Sequence, residues 1–577
     1  MTRIPSLALR LIQTPNDLEA ALPLLARERL IGLDLETTGL DPHQARIRLL
    51  SLALPQAGEV LLVDLFRLPG ALEGIRPFLE AGERALLVGH NLAFDLGFLM
   101  ARGLFPSGRR LWDTGLAQQV LRALPRMPAL RDLLPVDKSL QVSDWGGELS
   151  QRQLEYAARD AVAVLVLYKQ QIAEARKRDL VRALALEMRA LPAVAWMRVM
   201  GVPFDPNTWS LQIEEAMAEA ERALERLARF EDGLFQGSLN WNSPKQALEA
   251  LRRHGIAVSG TREEDLAPYR NHPLVEALLD YREAQKRVSA FGERWLEYLH
   301  PKTGRIHPEW KQIGAETGRM ACARPNLQQV PRDATRRAFR APEGRVLIKA
   351  DYSQIELRLA AAIAPDPVMA EAFRKGEDLH TLTASRILGK PMEAVSKEDR
   401  QLAKALNFGL IYGMGAESLR QYALTGYGVA LSPEEASRLR EAFFQLYPGL
   451  RAWHRRTPQG EVEVETLIGR KRRTSRFTEK LNTPVQGSGA DGLKLALGLL
   501  YEHRHEVPGA FPVLAVHDEV VVEAPAERAE EALVWVRRIM VEAMERVIAR
   551  APLPVPVEVE AGVYQDWGFT STNRCAR

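Results

Sequence analysis

Strand-forming residues recur in two places far apart in this chain, and the stretch between them is mainly helical. RVLIKAD at 345–351 and FPVLAVHDEVVVEAP at 511–525 are apolar and β-branched, and PVPVEVEAG follows at 554–562. Val and Ile favour a half-buried pleated surface, so these runs read as strands. A sheet drawing on both regions, near 340–352 and 510–562, has to be discontinuous, with helices inserted between its strands. Each region also carries acid at a strand end. Asp351 closes the first run, and His517-Asp518-Glu519 interrupts the second, where a hairpin puts Asp518 and Glu519 at its tip. If the fold brings these carboxylates face to face, each raises the other's pKa, and a divalent cation between them relieves the repulsion. Taken singly, each is equally readable as a surface-turn acid.

With 577 residues the chain exceeds one core; at roughly 150 residues per domain it predicts three or four units. A hydrophobic share of 46% and a charged share of 26% are ordinary for a globular protein. The net charge of +3 is small, so a nucleic-acid site must be a local concentration of cations. Two cysteines, Cys322 and Cys575, exclude a disulfide framework and a Cys-rich zinc site. No apolar stretch reaches the length of a membrane span, and MTRIPSLALRLIQ lacks a signal-peptide core, so the expectation is a cytoplasmic protein with no membrane partner.

Residues 1 to about 180 alternate strand-like runs (LIGLDLE, IRLLSLAL, EVLLVDLF, ALLVGHN) with helical ones, which argues α/β. Asp34 and Glu36 are two apart on a strand and project from one face. Asp95 lies in GHNLAFDLGFL, and Tyr156 and Asp160 share one helix face at a spacing of four. Four carboxylates and a phenol suit two divalent cations, one activating a water for in-line attack on a phosphodiester, with Tyr156 positioning it. The three segments DLETTGL, GHNLAFDLGFL and YAARD resemble, in order, the motifs of DEDD-type 3′→5′ exonucleases of the tyrosine subclass. The alternative is scattered surface acids on an α/β fold.

From about 181 the pattern turns helical, with a charged, solvated helix at EEAMAEAERALERLARFE. In RQLAKALNFGLIYG, Arg400, Lys404, Phe408 and Tyr412 follow at steps of four and form a slowly drifting stripe. Phosphates suit its cationic, N-terminal half and a stacked base its aromatic half; an amphipathic helix with a basic solvent face and a buried aromatic end is the other reading.

DYSQIELRLAA, RQLAKALNFGLIYG and HDEVVVE, in this order, resemble the three signature motifs of family A DNA polymerases. TGRIHPEWKQIGAETGRMACARPNLQQVP is similar to the family's primer–template segment, and NTPVQGSGADGLK to its helix before the last catalytic hairpin. The resemblance implies an α/β, RNase H-like exonuclease domain at 1–180. It implies a mixed α+β right-hand polymerase domain at 181–577, with thumb about 200–310, palm about 311–365 and 480–577, and fingers about 366–479. The 5′-nuclease domain of many bacterial members is expected to be absent.

By the same resemblance, Asp351 and Asp518 hold two Mg²⁺, Mn²⁺ being able to substitute, with the Tyr352 carbonyl completing a metal shell and Glu519 nearby. Asp34, Glu36, Asp95 and Asp160 hold the exonuclease pair. Ser353, Gln354 and Glu356 line the dNTP site, Glu356 excluding a 2′-OH. His380, Arg400 and Lys404 bind the triphosphate, and Lys404 protonates pyrophosphate. Phe408 packs beside the sugar and Tyr412 near the templating position. Arg319, Asn326, Gln328, Asn482, Gln486 and His517 contact primer, template or nascent pair. The implied partners are primer–template DNA, dNTPs and a single-stranded 3′ end, for a monomer working at the nucleoid, or in host cytoplasm if viral.

The usual Arg before the NxPxQG helix is missing, and neither Lys480 nor Arg476 inherits its role. The cluster Arg470-Lys471-Arg472-Arg473 is readable as a phosphate grip or as a solvated loop. The tail STNRCAR has no obvious family counterpart. A nuclease whose second half only binds DNA, and a non-catalytic primer–template module, are the competing functions.

Overall fold

Eight residues, LIGLDLET, make the strand on which the N-terminal half is organised. The computed structural model describes residues 4–80, 85–107, 110–136, 139–231 and 239–568; Cys575 and the tail STNRCAR lie outside them. The strands there are β1 (Ala8–Ile12), β2 (Leu30–Thr37), β3 (Ile47–Leu54), β4 (Glu59–Asp64), β5 (Leu86–Gly89) and β6 (Leu111–Asp113), in the order β1-β4-β3-β2-β5-β6. Only β3 runs against the other five. β3 is buried along its whole length because helices cover the sheet, which its unbroken apolar run already implied. Helix Gln151–Lys177, capped by Ser150 and Gln153 in a reciprocal box, lies across β2. It comes so close that a Cβ on Gly32 would stand 1.9 Å from the Ala161 carbonyl oxygen.

Past residue 200, two short ladders form, β7 (Val202–Pro203) with β8 (Arg305–Ile306), and β9 (Glu309–Lys311) with β10 (Ala321–Ala323). Between them, helices Pro206–Ala228 and Pro273–Ala290 pair along their length. Residues 220–284 build a hydrophobic core of their own around Trp241, Leu266 and Leu278, separate from the main one.

The discontinuous sheet is present. Strand β11 (Arg345–Tyr352) is followed by helices from Ile355 to Arg456, then the hairpin β12 (Val462–Glu465) and β13 (Lys471–Thr474), and helix Phe477–Glu502. Strands β14 (Phe511–Val516), β15 (Glu519–Pro525) and β16 (Val559–Tyr564) complete an antiparallel sheet ordered β14-β15-β11-β16. ETLIG, at 465–469, is the end of β12 and the turn that follows it. β16 begins only after the prolines of APLPVPV, which lack the N–H groups a ladder needs.

The halves are joined by buried charge. Helix Val181–Met200 packs against helix Leu92–Met100 on one side and helix Phe477–Glu502 on the other. At the second contact Glu187, Arg470, Asp491 and Lys494 form a quartet of two anions and two cations, each buried. Arg470 meets both Glu187 and Asp491, at 2.8 Å for the latter, and Lys494 meets Glu187. Burial opposes ionisation of Glu187, but Lys494 and Arg470 outweigh it and hold its carboxyl below the usual range. Gln312 adds a 2.7 Å bond to the Glu187 carbonyl. Arg470 is therefore neither a phosphate grip nor a solvated loop residue. Lys471, Arg472 and Arg473 are paired with Glu463, with Glu316 and Glu479, and with Glu461. Lys480 is buried on the Pro458 carbonyl at 2.8 Å.

A second junction lies beyond β2, where the rings of His43, His300 and His307 meet at centroid distances of 4.8 to 5.5 Å.

Removing one member of the quartet leaves a charge buried without its counterion, which costs about 3–5 kcal/mol. Lys494→Met is expected to lower the unfolding free energy read from the urea transition of the second half by that amount, whereas exposed Arg473→Met changes it by less than about 0.5 kcal/mol.

Candidate active sites

Asp351 is the penultimate residue of β11, directly opposite Glu519 on β15 and Glu560 on β16. Val516 pairs with Glu519, so the turn between β14 and β15 has two residues, His517 and Asp518. His517 takes the left-handed conformation (φ 59°) such a tight turn demands. Asp518 alone of the acid pair is thus at the tip, while Glu519 belongs to the ladder. The Tyr352 N–H donates to the Asp518 carbonyl at 3.3 Å, fixing the turn beside the end of β11. Burial pushes the Asp351 carboxyl up to about 8, and the charges of Asp518 and Glu519 push the same way. Burial raises Asp518 too. The Asp351 Oδ1 is buried with no hydrogen-bond donor among the described residues. Clustered carboxylates with an unsatisfied oxygen are the donor set a hard divalent cation takes.

The helix Lys397–Ile411 carries the stripe. Arg400, Lys404 and Phe408 are half-buried while Ala403, Leu406, Asn407 and Leu410 are fully buried, so the stripe lies along the helix's open side. Tyr412 caps the helix, and its hydroxyl donates to Glu356 Oε2 at 2.5 Å. Arg319 holds the other oxygen of Glu356 at 2.5 Å. Gln486 also bonds Tyr412, whose phenol is raised by burial and then by Glu356. Glu356 lies in the first turn of helix Ile355–Ile363, so this chain of contacts ties the stripe to the strand bearing Asp351. Gln354 begins that helix with φ 51°, its Oε1 buried without a partner among the described residues.

Asp378 clasps Arg400 through two bonds of 3.2 and 2.7 Å. Burial opposes its ionisation, yet Arg400 and Thr381 hold Asp378 down at about 2. No carboxylate lies within ion-pair distance of Lys404 among the described residues. His380, expected beside phosphates, is buried, bonded to Asn407 at 2.9 Å and set against the Phe408 ring at 5.6 Å. Burial lowers its pKa to about 4, so it stands there as a neutral ring. Asn326 caps the turn Leu327–Gln329, and Gln328 reaches the Ala515 carbonyl at 3.2 Å. Asn482 and Gln486 share the half-open face of helix Phe477–Glu502. Ser353 is held through its N–H by the Glu558 carbonyl at 2.9 Å.

At the N-terminal sheet, Asp34, Glu36 and Asp160 each place a carboxylate oxygen within 4.8 Å of the others. The close approach at Gly32 makes this possible, because it seats the helix bearing Asp160 directly over β2. Tyr156, one turn earlier, bonds Asp160, and burial raises its phenol. Asp95 is not among the three. It sits in the first turn of helix Leu92–Met100, where its Oδ1 accepts the Leu35 N–H at 3.0 Å. Burial, and then the charge of Asp34, push its pKa well up. It adjoins the cluster, close enough for the Asp34 charge to act on it.

Trp567, Arg336, Asp378 and Asn407 carry contacts the motifs did not announce. The contacts of Trp567 and Arg336 with Glu519, of Asp378 with Arg400 and of Asn407 with His380 span 22 or more residues, beyond the reach of any local pattern.

The model of DNA polymerase family A matches residues 208–569. The chain belongs to DNA polymerase family A. A 3′-5′ exonuclease model matches residues 9–171. This family A polymerase is 36% identical to DNA polymerase I of Aquifex aeolicus over 95% of its own length and 98% of that protein's. It is 36% identical to the thermostable DNA polymerase I of Thermus aquaticus, but spans only 52% of that chain. Among solved structures it superimposes on the POL domain of Pol1 from M. smegmatis, in complex with DNA primer-template and dNTP. The TM-score there is 0.80, with 26% identity over 97% of this chain and 99% of that one. The fold is therefore an exonuclease domain followed by a mixed α/β family A polymerase domain. No helix of the described residues is long and apolar enough to cross a membrane.

The Gly32 contact gives a test of the exonuclease geometry. Gly32→Ala forces helix Gln151–Lys177 off β2, an overpacking cost of about 1–3 kcal/mol. Removal of a mismatched 3′ nucleotide is expected to fall while primer extension by the same sample persists.

Proposed function

We propose that this family A polymerase adds dNTPs to a primer 3′-OH at Asp351 and Asp518, and removes misincorporated nucleotides at Asp34, Glu36 and Asp160. The observation that carries the synthetic half is the pair of raised carboxylates at the junction of β11 and the β14–β15 turn, with the Asp351 Oδ1 left without a donor. Residues 181–577 then divide into a thumb at about 200–310, with its own core, a palm at about 311–365 and 480–577, and fingers at about 366–479.

Asp351 and Asp518 would hold two cations, Mg²⁺ or Mn²⁺, with the Tyr352 carbonyl in one shell. Asp34, Glu36, Asp95 and Asp160 would hold those of the exonuclease. Bound there, the ions would lower the pKa of the primer 3′-OH, shield the triphosphate and activate a water at the nuclease centre. The chain's residues do the positioning. Arg400 exchanges Asp378 for the triphosphate, and Lys404 supplies an uncompensated cation and the proton that leaves with pyrophosphate. Phe408 presents its face to the sugar and base. Glu356, pinned by Arg319 and Tyr412, cannot swing away from the sugar edge and so excludes a 2′-OH. His380 supports Phe408 as a neutral ring. Arg319, Asn326, Gln328, Asn482, Gln486 and His517 line the primer and template path. Tyr156, bonded to Asp160, orients the hydrolytic water at a single-stranded 3′ end. The protein works as a monomer in the cytoplasm, at the nucleoid.

Primer extension with Mg²⁺ and four dNTPs is the direct test. Asp351→Ala or Asp518→Ala is expected to cut extension by roughly a thousandfold or more, with exonuclease activity retained. The double change Asp34→Ala, Glu36→Ala is expected to do the converse. A wild-type chain that digests 3′ ends but extends no primer would make it a nuclease with a DNA-binding second half.

A further inference from the structure

Glu519 faces Asp351 across the ladder, yet its charge is committed elsewhere. The indole N–H of Trp567 donates to Glu519 Oε1 at 2.5 Å. The Arg336 guanidinium lies 3.9 Å from the same oxygen and 3.8 Å from the centroid of the Trp567 ring. Arg336 is anchored in turn by the Val330 and Pro331 carbonyls at 3.1 Å. Trp567 is fully buried, edge-on to Phe339 at 5.4 Å, with its N–H on the Phe339 carbonyl and its carbonyl accepting from Lys349 at 3.0 Å. A cavity of about 210 Å³, walled by Asp351, Glu519, Lys349, Arg336 and Trp567, opens beside this cluster and leaves room for a carboxylate to turn.

We infer that Trp567 is a positioning residue of the synthetic centre, whose indole N–H holds the Glu519 carboxylate away from the Asp351 cation site. An unrestrained Glu519 would be a third carboxylate free to turn onto a cation bound by Asp351, binding it more tightly but in a geometry that no longer suits the primer 3′-OH. A charge-assisted bond from a buried indole, packed under a guanidinium and edge-on to a phenyl ring, opposes that turn. The inference rests on the assignment of Asp351 and Asp518 to the synthetic centre.

Trp567→Phe keeps the ring over Arg336 and removes only the N–H. In the full chain it is expected to lower kcat for primer extension about tenfold, with the KM for dNTP little changed. In the Asp34→Ala, Glu36→Ala background, where the exonuclease ligands are gone, Mn²⁺ binding without DNA, read by electron paramagnetic resonance, is expected to tighten several-fold. Both effects are expected to vanish when Trp567→Phe is placed on Glu519→Ala, because the group being restrained is no longer there. Persistence of the kcat loss in the Glu519→Ala background would overturn the inference and leave Trp567 a packing residue; so would wild-type kcat and Mn²⁺ affinity in Trp567→Phe. The unfolding midpoint and the exonuclease rate of Trp567→Phe confirm that the fold is intact, and Glu519→Ala removes the same bond from the other side. If Asp351→Ala still extends primers, the underlying assignment fails; if it is inactive and the coupling is absent, only the role of Trp567 does.

Discussion

The synthetic centre depends on one register, the antiparallel pairing of β11 with β15 that sets Asp351 opposite Glu519. A slip by one residue would turn every side chain of β11 to the other face, exposing Ile348 and Ala350 and burying Lys349. The buried apolar residues on both strands forbid that slip. The two-residue turn at His517-Asp518 then has a single place to go, beside the end of β11. From this register follow the proximity of Asp351 and Asp518, the position of Glu356 one turn into the next helix, and through Glu356 the contact with Tyr412 at the end of the stripe.

Two kinds of buried charge distinguish architecture from chemistry in this molecule. In the Glu187–Arg470–Asp491–Lys494 quartet, two anions meet two cations and the added bonds from Gln312 and Thr466 occupy remaining oxygens. Such a set specifies how two elements dock and asks for no further partner. At Asp351 and Asp518 the carboxylates face one another, their pKa values rise, and an oxygen remains without a donor. The imbalance is what a cation would relieve. Asp34, Glu36 and Asp160 make a second gathering of carboxylates on an unrelated sheet. Glu519 stands between the two kinds: opposite Asp351 in register, but compensated by Trp567 and Arg336.

The motifs made much of the site legible. Period-two spacing placed Asp34 and Glu36 on one face, steps of four placed Arg400, Lys404 and Phe408 along one side of a helix, and a β-branched run broken by His517-Asp518 gave a hairpin. These are local regularities, set by backbone geometry within a few residues. Arg470 was not legible, because four consecutive cations look alike until one of them is found beneath helix Val181–Met200. His380 entered only through the family resemblance, whereas its surroundings are set by burial and by Asn407 and Phe408 on another helix. Asp95 fitted a four-carboxylate pattern, but no local pattern announces that its Oδ1 also accepts the Leu35 N–H from β2.

The sequence by itself determined which local element bears each candidate residue, because residue type, periodicity and turn-forming ability are properties of short stretches. The tertiary structure decided which charges are neutralised. Whether Arg470 meets phosphate or Glu187, whether His380 is a cation or a neutral prop, and whether Glu519 faces a metal or Trp567 each depend on a partner far along the chain. Burial then fixes the outcome, since in a low-dielectric interior a charge is settled by its immediate neighbours rather than by solvent.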